Sequence, residues 1–181
     1  MTTLESTEST GPPARSHEKR VRDLGVPARW LAGDEDYGLP AEDGLYFADG
    51  RAYDVALAPG TPARLTVLDP FDVDAILADD PSWVTSVDGL ASVGLGDGGF
   101  LWGGEGTMGA DGFVARLTAD RKLVWAVFFA DSNPFDRIRV SGNVATFHST
   151  AGFELAVDID DPRNPVSRVS DGPPDAPAST G

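Results

Sequence analysis

The chain has 181 residues, of which 41% are hydrophobic and 24% are charged, so its composition predicts one soluble globular domain. Its longest apolar run covers only residues 123–130, well short of the about 20 residues that a membrane-spanning helix requires, and no segment near the N-terminus has the form of a signal peptide. The net charge of −15 argues against a nucleic-acid partner, the absence of cysteine excludes disulfides and thiolate chemistry, and the predicted location is the cytoplasm.

Three segments follow one another along the chain. Residues 1–22 are polar and poor in large apolar side chains, which predicts a flexible N-terminal arm, and Ser16–Leu31 has the pattern of a short helical arm. Residues 23–162 form the predicted single β-rich domain and hold 24 acidic and eight basic residues, a net charge of −16. Residues 163–181 are punctuated by Pro, Ser and Gly and predict a disordered C-terminal tail.

Short apolar runs separated by turn residues begin at Leu45 and recur about every eight to twelve residues, which is typical of a β-sandwich or barrel. Turns are predicted at residues 49–50, 59–60, 88–89 and 97–99, where small or flexible residues let the chain reverse. The predicted strands in this part of the chain are Leu45–Ala48, Ala52–Leu57, Arg64–Leu68, Trp83–Val87, Ala91–Leu95 and Phe100–Trp102.

One short helix interrupts the strands near residues 70–79. Asp69 is suited to cap its N-terminus and Pro70 to occupy its first turn, and the acidic residues that follow complement the positive end of the helix dipole. Pro81 cannot continue a helix, so the helix is expected to end before it.

Residues 113–159 show the clearest alternation of buried and exposed positions. The run Leu123–Phe129 is apolar throughout, which indicates a strand that is buried on both faces in the middle of a sheet. The whole segment predicts a four-strand antiparallel meander. The predicted fold class is therefore mainly β, α+β at most, with the meander curled into a sandwich or an open barrel around Trp125, Phe129, Phe147 and Phe153.

Catalytic residues are scarce in the sequence. His17 lies in the predicted N-terminal arm, which leaves His148 as the one histidine for a folded active site. As a catalytic candidate, His148 would act as a general base oriented by an Asp. The competing interpretation is a strand histidine that makes one structural hydrogen bond. No Ser stands in a Gly-x-Ser-x-Gly turn, so no serine nucleophile is indicated.

The carboxylates Asp158, Asp160 and Asp161 are the candidate metal ligands, because hard cations prefer clustered oxygen ligands. Their spacing departs from a calcium-binding EF-hand, since Arg163 stands where that loop requires Gly. Neither a metal nor a cofactor is expected. The glycine-rich residues 94–106 do not indicate a phosphate loop either, because no helix follows them, and turns and bulges explain these glycines.

Aromatic side chains beside carboxylates supply the candidate binding residues, which are Trp83, Trp102, Asp97 and Glu105. An exposed Trp among acidic groups is a plausible anchor for a basic protein, and the glycines next to Trp102 would let a partner approach closely. The alternative for both tryptophans is an ordinary place in the core.

The leading functional hypothesis is a noncatalytic protein-binding module whose acidic β-surface docks a cationic protein. In general type, a small acidic β-protein without cysteine is similar to immunity and antitoxin-type proteins that neutralise basic toxin domains, although no motif carries that likeness. Two alternatives are open: a small-molecule or carbohydrate-binding β-fold, which as a hydrolase would use His148, and a structural subunit that assembles with copies of itself through a sheet edge or exposed Trp residues.

Overall fold

The computed structural model describes residues 37–166, which contain eleven strands and one helix. The predicted N-terminal arm and its helix lie outside the described residues, as does the tail beyond residue 166. The elements are β1 (Tyr37–Pro40), β2 (Gly44–Phe47), β3 (Ala52–Ala58), β4 (Ala63–Phe71), α1 (Val73–Asp79), β5 (Val84–Gly94), β6 (Phe100–Gly106), β7 (Gly112–Leu117), β8 (Leu123–Phe129), β9 (Phe135–Ser141), β10 (Val144–Ser149) and β11 (Glu154–Asp158).

The strands form one curled sheet in the order β1-β5-β6-β7-β8-β2-β3-β4-β11-β10-β9. All neighbours are antiparallel except β4 and β11, which run parallel through two residue pairs. Curling brings β9, at one edge, against β5 and β6 near the other edge, so the sheet closes about halfway into a barrel. The predicted class, mainly β with one short helix, is confirmed. Within residues 37–166 no helix has the length and hydropathy needed to cross a membrane.

Strand β8 lies inside the sheet between β7 and β2, as its continuous apolar sequence predicts. Alternate side chains enter two separate core clusters. Trp125, Val127 and Phe129 pack inside the curl with residues of β9, β10 and β11, whereas Ala126 and Phe128 pack on the other side beneath α1. The buried Trp125 donates its Nε1–H to the carbonyl of Ile159 at 2.9 Å, which ties β8 to the end of β11.

The predicted meander is interrupted after β8. Strands β7 and β8 form one antiparallel hairpin, and β9, β10 and β11 form a second antiparallel ladder, but β8 pairs with β2 instead of β9. Residues 130–134 carry the chain between the two ladders. Local alternation specifies each hairpin, whereas the neighbour of a central strand is set by packing between residues distant in sequence.

The predicted turn at residues 88–89 is wrong, because the chain runs through it as the single strand β5 with a bulge between Gly89 and Ala91. A Cβ at Gly89 would overlap the indole ring of Trp102 on the neighbouring strand. Glycine is therefore required there by close packing and not by chain reversal. The predicted turn at residues 97–99 is confirmed, with Gly98 at a φ of 84° and hydrogen bonds between Leu95 and this turn.

The helix begins later than its sequence signals predict. Asp72 is the N-cap, accepting a hydrogen bond from the Ala75 amide at 3.1 Å, so the prediction of a cap at Asp69 is wrong. Pro70 belongs to β4, where it pairs with Tyr53. Proline is tolerated at this point because β11 pairs with β4 only near its beginning, which leaves the other side of Pro70 without a ladder partner.

Candidate functional site

Eight carboxylates surround α1 and the strand ends next to it, and none of them is paired with a basic side chain among the described residues. All are exposed except Asp43, which is half-buried. We call this group the α1 acidic surface; its members are Glu42, Asp43, Asp54, Asp69, Asp72, Asp74, Asp79 and Asp80.

Tyr46 is buried beneath the α1 acidic surface. Its ring is fully buried, and its hydroxyl donates to the backbone carbonyl of Glu42 at 2.8 Å. Burial raises the pKa of Tyr46, and the negative charges of Glu42, Asp43 and Asp54 raise this pKa further. The same three carboxylates therefore lie within electrostatic reach of one hydroxyl group.

Helix α1 supplies the rest of the surface through its amphipathic sequence. Val73 and Leu77, four positions apart, are buried in the same cluster as Tyr46. This packing turns Asp74 and Asp79 toward solvent. No basic residue occurs in the last turn of the helix.

Ion pairing is unevenly distributed in the described chain: seven of the 12 acidic side chains outside the α1 acidic surface are ion-paired, but none of the eight within it is. Residues 37–166 carry 20 acidic and eight basic side chains, a net charge of −12. The bases that form ion pairs all pair with carboxylates outside the α1 acidic surface, namely Asp49, Asp97, Asp120, Asp136, Glu154, Asp160 and Asp161. The negative potential is consequently left without local compensation around α1.

Apolar side chains stand beside these charges. Leu68, at the outer side of β4, has 50% of its surface exposed next to Asp69. Trp83 follows α1, where its amide donates to the carbonyl of Asp80 at 3.2 Å and its half-buried side chain packs against the cluster of Tyr46. Charges around a few apolar groups are the usual composition of a protein-binding surface.

Of the four predicted binding residues, only Trp83 adjoins the α1 acidic surface. Trp102 is half-buried with its ring edge-on to Phe113, at a centroid distance of 5.3 Å. Glu105 lies three residues further along β6, so alternation directs it to the opposite face of the sheet. Asp97 occupies the β5–β6 turn and pairs with Arg116 at 2.7 Å. The structure does not bring these four residues together.

His148 lies on the outer face of β10, where 27% of its side chain is exposed. Its Nδ1 is 3.0 Å from a carboxylate oxygen of Asp136, and the guanidinium of Arg137 lies 3.1 Å from its Nε2. The hydrogen bond with His148 lowers the pKa of Asp136, and the charge of Arg137 lowers it further. The carboxylate orients the ring as a general base requires, but no hydroxyl of residues 37–166 is hydrogen-bonded to it.

The candidate metal ligands point to separate partners. Asp158 accepts hydrogen bonds from the amides of Asp160 and Asp161 and from the side chain of Asn143. Asp160 pairs with Arg116 at 2.9 Å. Asp161 pairs with Arg163 at 2.7 Å, at the beginning of the predicted C-terminal tail. Across residues 37–166, no group of three or more His, Cys, Asp or Glu side chains is arranged to hold a metal ion.

No protein-family model, curated protein or solved structure matches the chain. The α1 acidic surface is therefore defined only by the positions and charges of its own residues. The sequence analysis predicted a cap and dipole partners among the carboxylates at the start of α1 but did not connect them with Glu42, Asp43 and Asp54. The signal that would have revealed the surface is the absence of any basic residue between Arg64 and Arg116, a span that contains α1.

Proposed function

We propose that the protein is a noncatalytic binding module that docks a cationic protein on the α1 acidic surface. The observation that supports this proposal is the group of eight carboxylates around α1 with no ion pair among the described residues. Immunity and antitoxin-type proteins act in this way toward basic toxin domains, and the likeness to them remains one of general type.

Electrostatic attraction by this surface mainly raises the rate at which a cationic partner associates with it. Charges of one sign on a surface raise the encounter rate with an oppositely charged partner by about 10- to 1,000-fold, and salt reduces the effect. Screening acts over about 8 Å at physiological ionic strength, so clustered carboxylates act together where scattered ones do not.

Exposed apolar groups would then hold the partner once it has arrived. Leu68 is half-exposed beside the α1 acidic surface, next to Asp69 in the chain and in the stretch of β4 that faces the irregular part of β3 around Asp54. A small apolar centre within a charged rim excludes water and slows dissociation. The carboxylates that remain hydrated at the rim contribute mainly to steering and to the choice of partner.

Affinity capture followed by reconstitution tests the proposal. The tagged full-length chain is used at low salt to capture proteins from the source cells, and each stoichiometric partner is identified, purified and mixed with the chain again. We expect a basic protein that binds the wild type but binds the triple variant Asp54→Asn, Asp74→Asn, Asp79→Asn at least tenfold more weakly. None of these three side chains caps the helix or makes a hydrogen bond that the structure shows.

The control is a second triple variant with the same change in net charge, Asp88→Asn, Glu105→Gln, Asp120→Asn, and it should bind like the wild type. Equal losses in both variants would mean that overall charge, and not the α1 acidic surface, attracts the partner. A partner that is neutral or acidic would contradict the proposal outright.

A further inference from the structure

A groove crosses the outer face of β9, β10 and β11, away from the α1 acidic surface. It encloses about 730 Å³, which is within the about 300 to 1,000 Å³ typical of sites for small molecules. The β3–β4 loop forms one wall with Pro59 and Pro62, and β9 forms the other with Arg139 and Ser141. None of the eight carboxylates of the α1 acidic surface lines it.

Four residues in one row across adjacent strands form the floor and the two ends of the groove. Arg139 of β9 pairs with Thr146 of β10, Thr146 pairs with Ala156 of β11, and Ala156 pairs with Arg64 of β4. Residues paired in this way project from the same face. Neighbouring strands are about 4.8 Å apart, so the Cα atoms of Arg139 and Arg64 are about 14 Å apart. The two arginines therefore stand on either side of a floor of small side chains.

The two arginines differ in their partners. Arg139 forms an ion pair with Glu154, so its charge is compensated within the groove. Arg64 is exposed and has no carboxylate partner among the 20 acidic side chains of residues 37–166. In a strongly acidic protein, a groove that keeps an unpaired guanidinium is distinctive, because this group binds carboxylates and phosphates through two parallel hydrogen bonds.

We propose that this groove binds a small organic anion, a carboxylate or phosphate on an apolar body. The acidic group lies on Arg64, with the hydroxyl of Thr146 as a further hydrogen-bond donor within the groove. The apolar body lies between Pro62 and Val144, which is on the same face of β10 as Thr146. This site is independent of partner docking at α1, so either function can fail without the other.

Titration of the full-length chain, followed by two-dimensional ¹H–¹⁵N NMR, tests the proposal with hexanoate and hexyl phosphate as probes, which carry different acidic groups on similar linear alkyl bodies. At least one probe should produce saturable shifts at the amides of Arg64, Thr146 and Ala156. The probe that binds more tightly shows whether the acidic group is a carboxylate or a phosphate. Neutral 1-hexanol should produce no saturable shift, because it lacks the charge that Arg64 recognises.

Two variants locate the anion. Arg64→Gln should raise the half-saturating concentration at least tenfold, and Arg64→Lys should raise it less because the positive charge remains. Arg121→Gln is the matched control, since Arg121 also lacks a carboxylate partner in residues 37–166. Arg121 lies in the β7–β8 turn, far from the groove in the fold, and packs against the ring of Phe100 on β6. Its half-saturating concentration should equal that of the wild type.

Three results would overturn the proposal. The first is no saturable shift with either probe, and the second is equal weakening in the Arg64 and Arg121 variants. The third is binding that appears only after the chain is shortened to end at Val166, which lines the groove. In that case the groove would belong to the acidic residues of the chain's own C-terminal segment.

Discussion

The rings of Tyr46 and Phe71 meet edge to face, with their centroids 6.0 Å apart and their planes at 90°. Tyr46 lies below Glu42 and Asp43, and Phe71 immediately precedes the helix cap Asp72. This aromatic contact adds to the β2–β3–β4 pairing that brings together two acidic stretches about 25 residues apart in sequence. The mutual repulsion of their carboxylates is offset by burial of the rings beneath them.

Leu68 should matter for binding and not for stability. Because it is half-exposed, Leu68→Ala should change the free energy of unfolding by no more than about 0.5 kcal/mol. Its loss from the centre of the proposed interface should weaken partner binding about fivefold, or about 1 kcal/mol. Leu90→Ala is the matched control, since Leu90 is exposed to the same 50% but lies on β5. Isothermal titration calorimetry measures the affinity for the partner. An equal loss of affinity in both variants would show that Leu68 does not belong to the interface.

The start of α1 can be tested by removing each candidate cap. Asp72→Ala should lower the free energy of unfolding by about 1 kcal/mol, because the Ala75 amide loses its acceptor. Asp69→Ala should have almost no effect, since Asp69 is exposed on β4. Urea unfolding measures both. A larger loss for Asp69→Ala would place the beginning of the helix where the sequence signals predicted it.

Close packing of strands at Gly104 makes this position intolerant of any side chain. A Cβ there would overlap the backbone carbonyl of Asp88, which cannot rotate away, so Gly104→Ala should destabilise the protein by about 3 kcal/mol or prevent folding. Gly94 ends β5 with nothing near the position of its Cβ. Gly94→Ala should therefore unfold at nearly the wild-type temperature, and comparable losses in both variants would contradict the observed β5–β6 register.

The ion pair between Asp97 and Arg116 gives a prediction about pH. The Gly99 amide lowers the pKa of Asp97 most, and Arg116 lowers it further. Since the pKa in the folded state lies below the ordinary 3.8, these bonds stabilise the fold above about pH 3.8 and are lost as the pH falls through the folded-state value. In Arg116→Gln, the pKa of Asp97 measured by NMR should rise but stay below 3.8. An unchanged pKa would show that Arg116 does not act on it.

Local sequence patterns specified the parts of the fold that depend on neighbours in the chain. The β7–β8 hairpin and the buried strand at Trp125 follow from period-two alternation. The parallel pairing of Arg64 with Ala156 was not predictable, because it joins residues far apart in sequence through only two pairs. Gly89 has the sequence of a turn, yet Trp102 from the next strand makes it a packing position. Tertiary contacts override local propensity at such positions.

The candidate site likewise combines features set by the local sequence with features set by tertiary contacts. Asp74 was recognisable as a residue that complements the helix dipole, but its neighbourhood with Asp54 depends on how β3 and α1 meet around Tyr46. The sequence alone did not separate Glu105 from Trp102 either. The predicted strand ended at Trp102, whereas β6 continues to Gly106, and only on this longer strand does alternation place the two side chains on opposite faces.

The association rate of the captured basic partner, measured by stopped flow across a range of salt concentrations, tests the central claim most directly. At low salt the variant Asp54→Asn, Asp74→Asn, Asp79→Asn should associate about tenfold more slowly than the wild type and depend less on salt, because steering by the α1 acidic surface is weakened. The variant Asp88→Asn, Glu105→Gln, Asp120→Asn should keep the wild-type rate. Equal rates for all three proteins, or equal slowing in both variants, would contradict docking at α1.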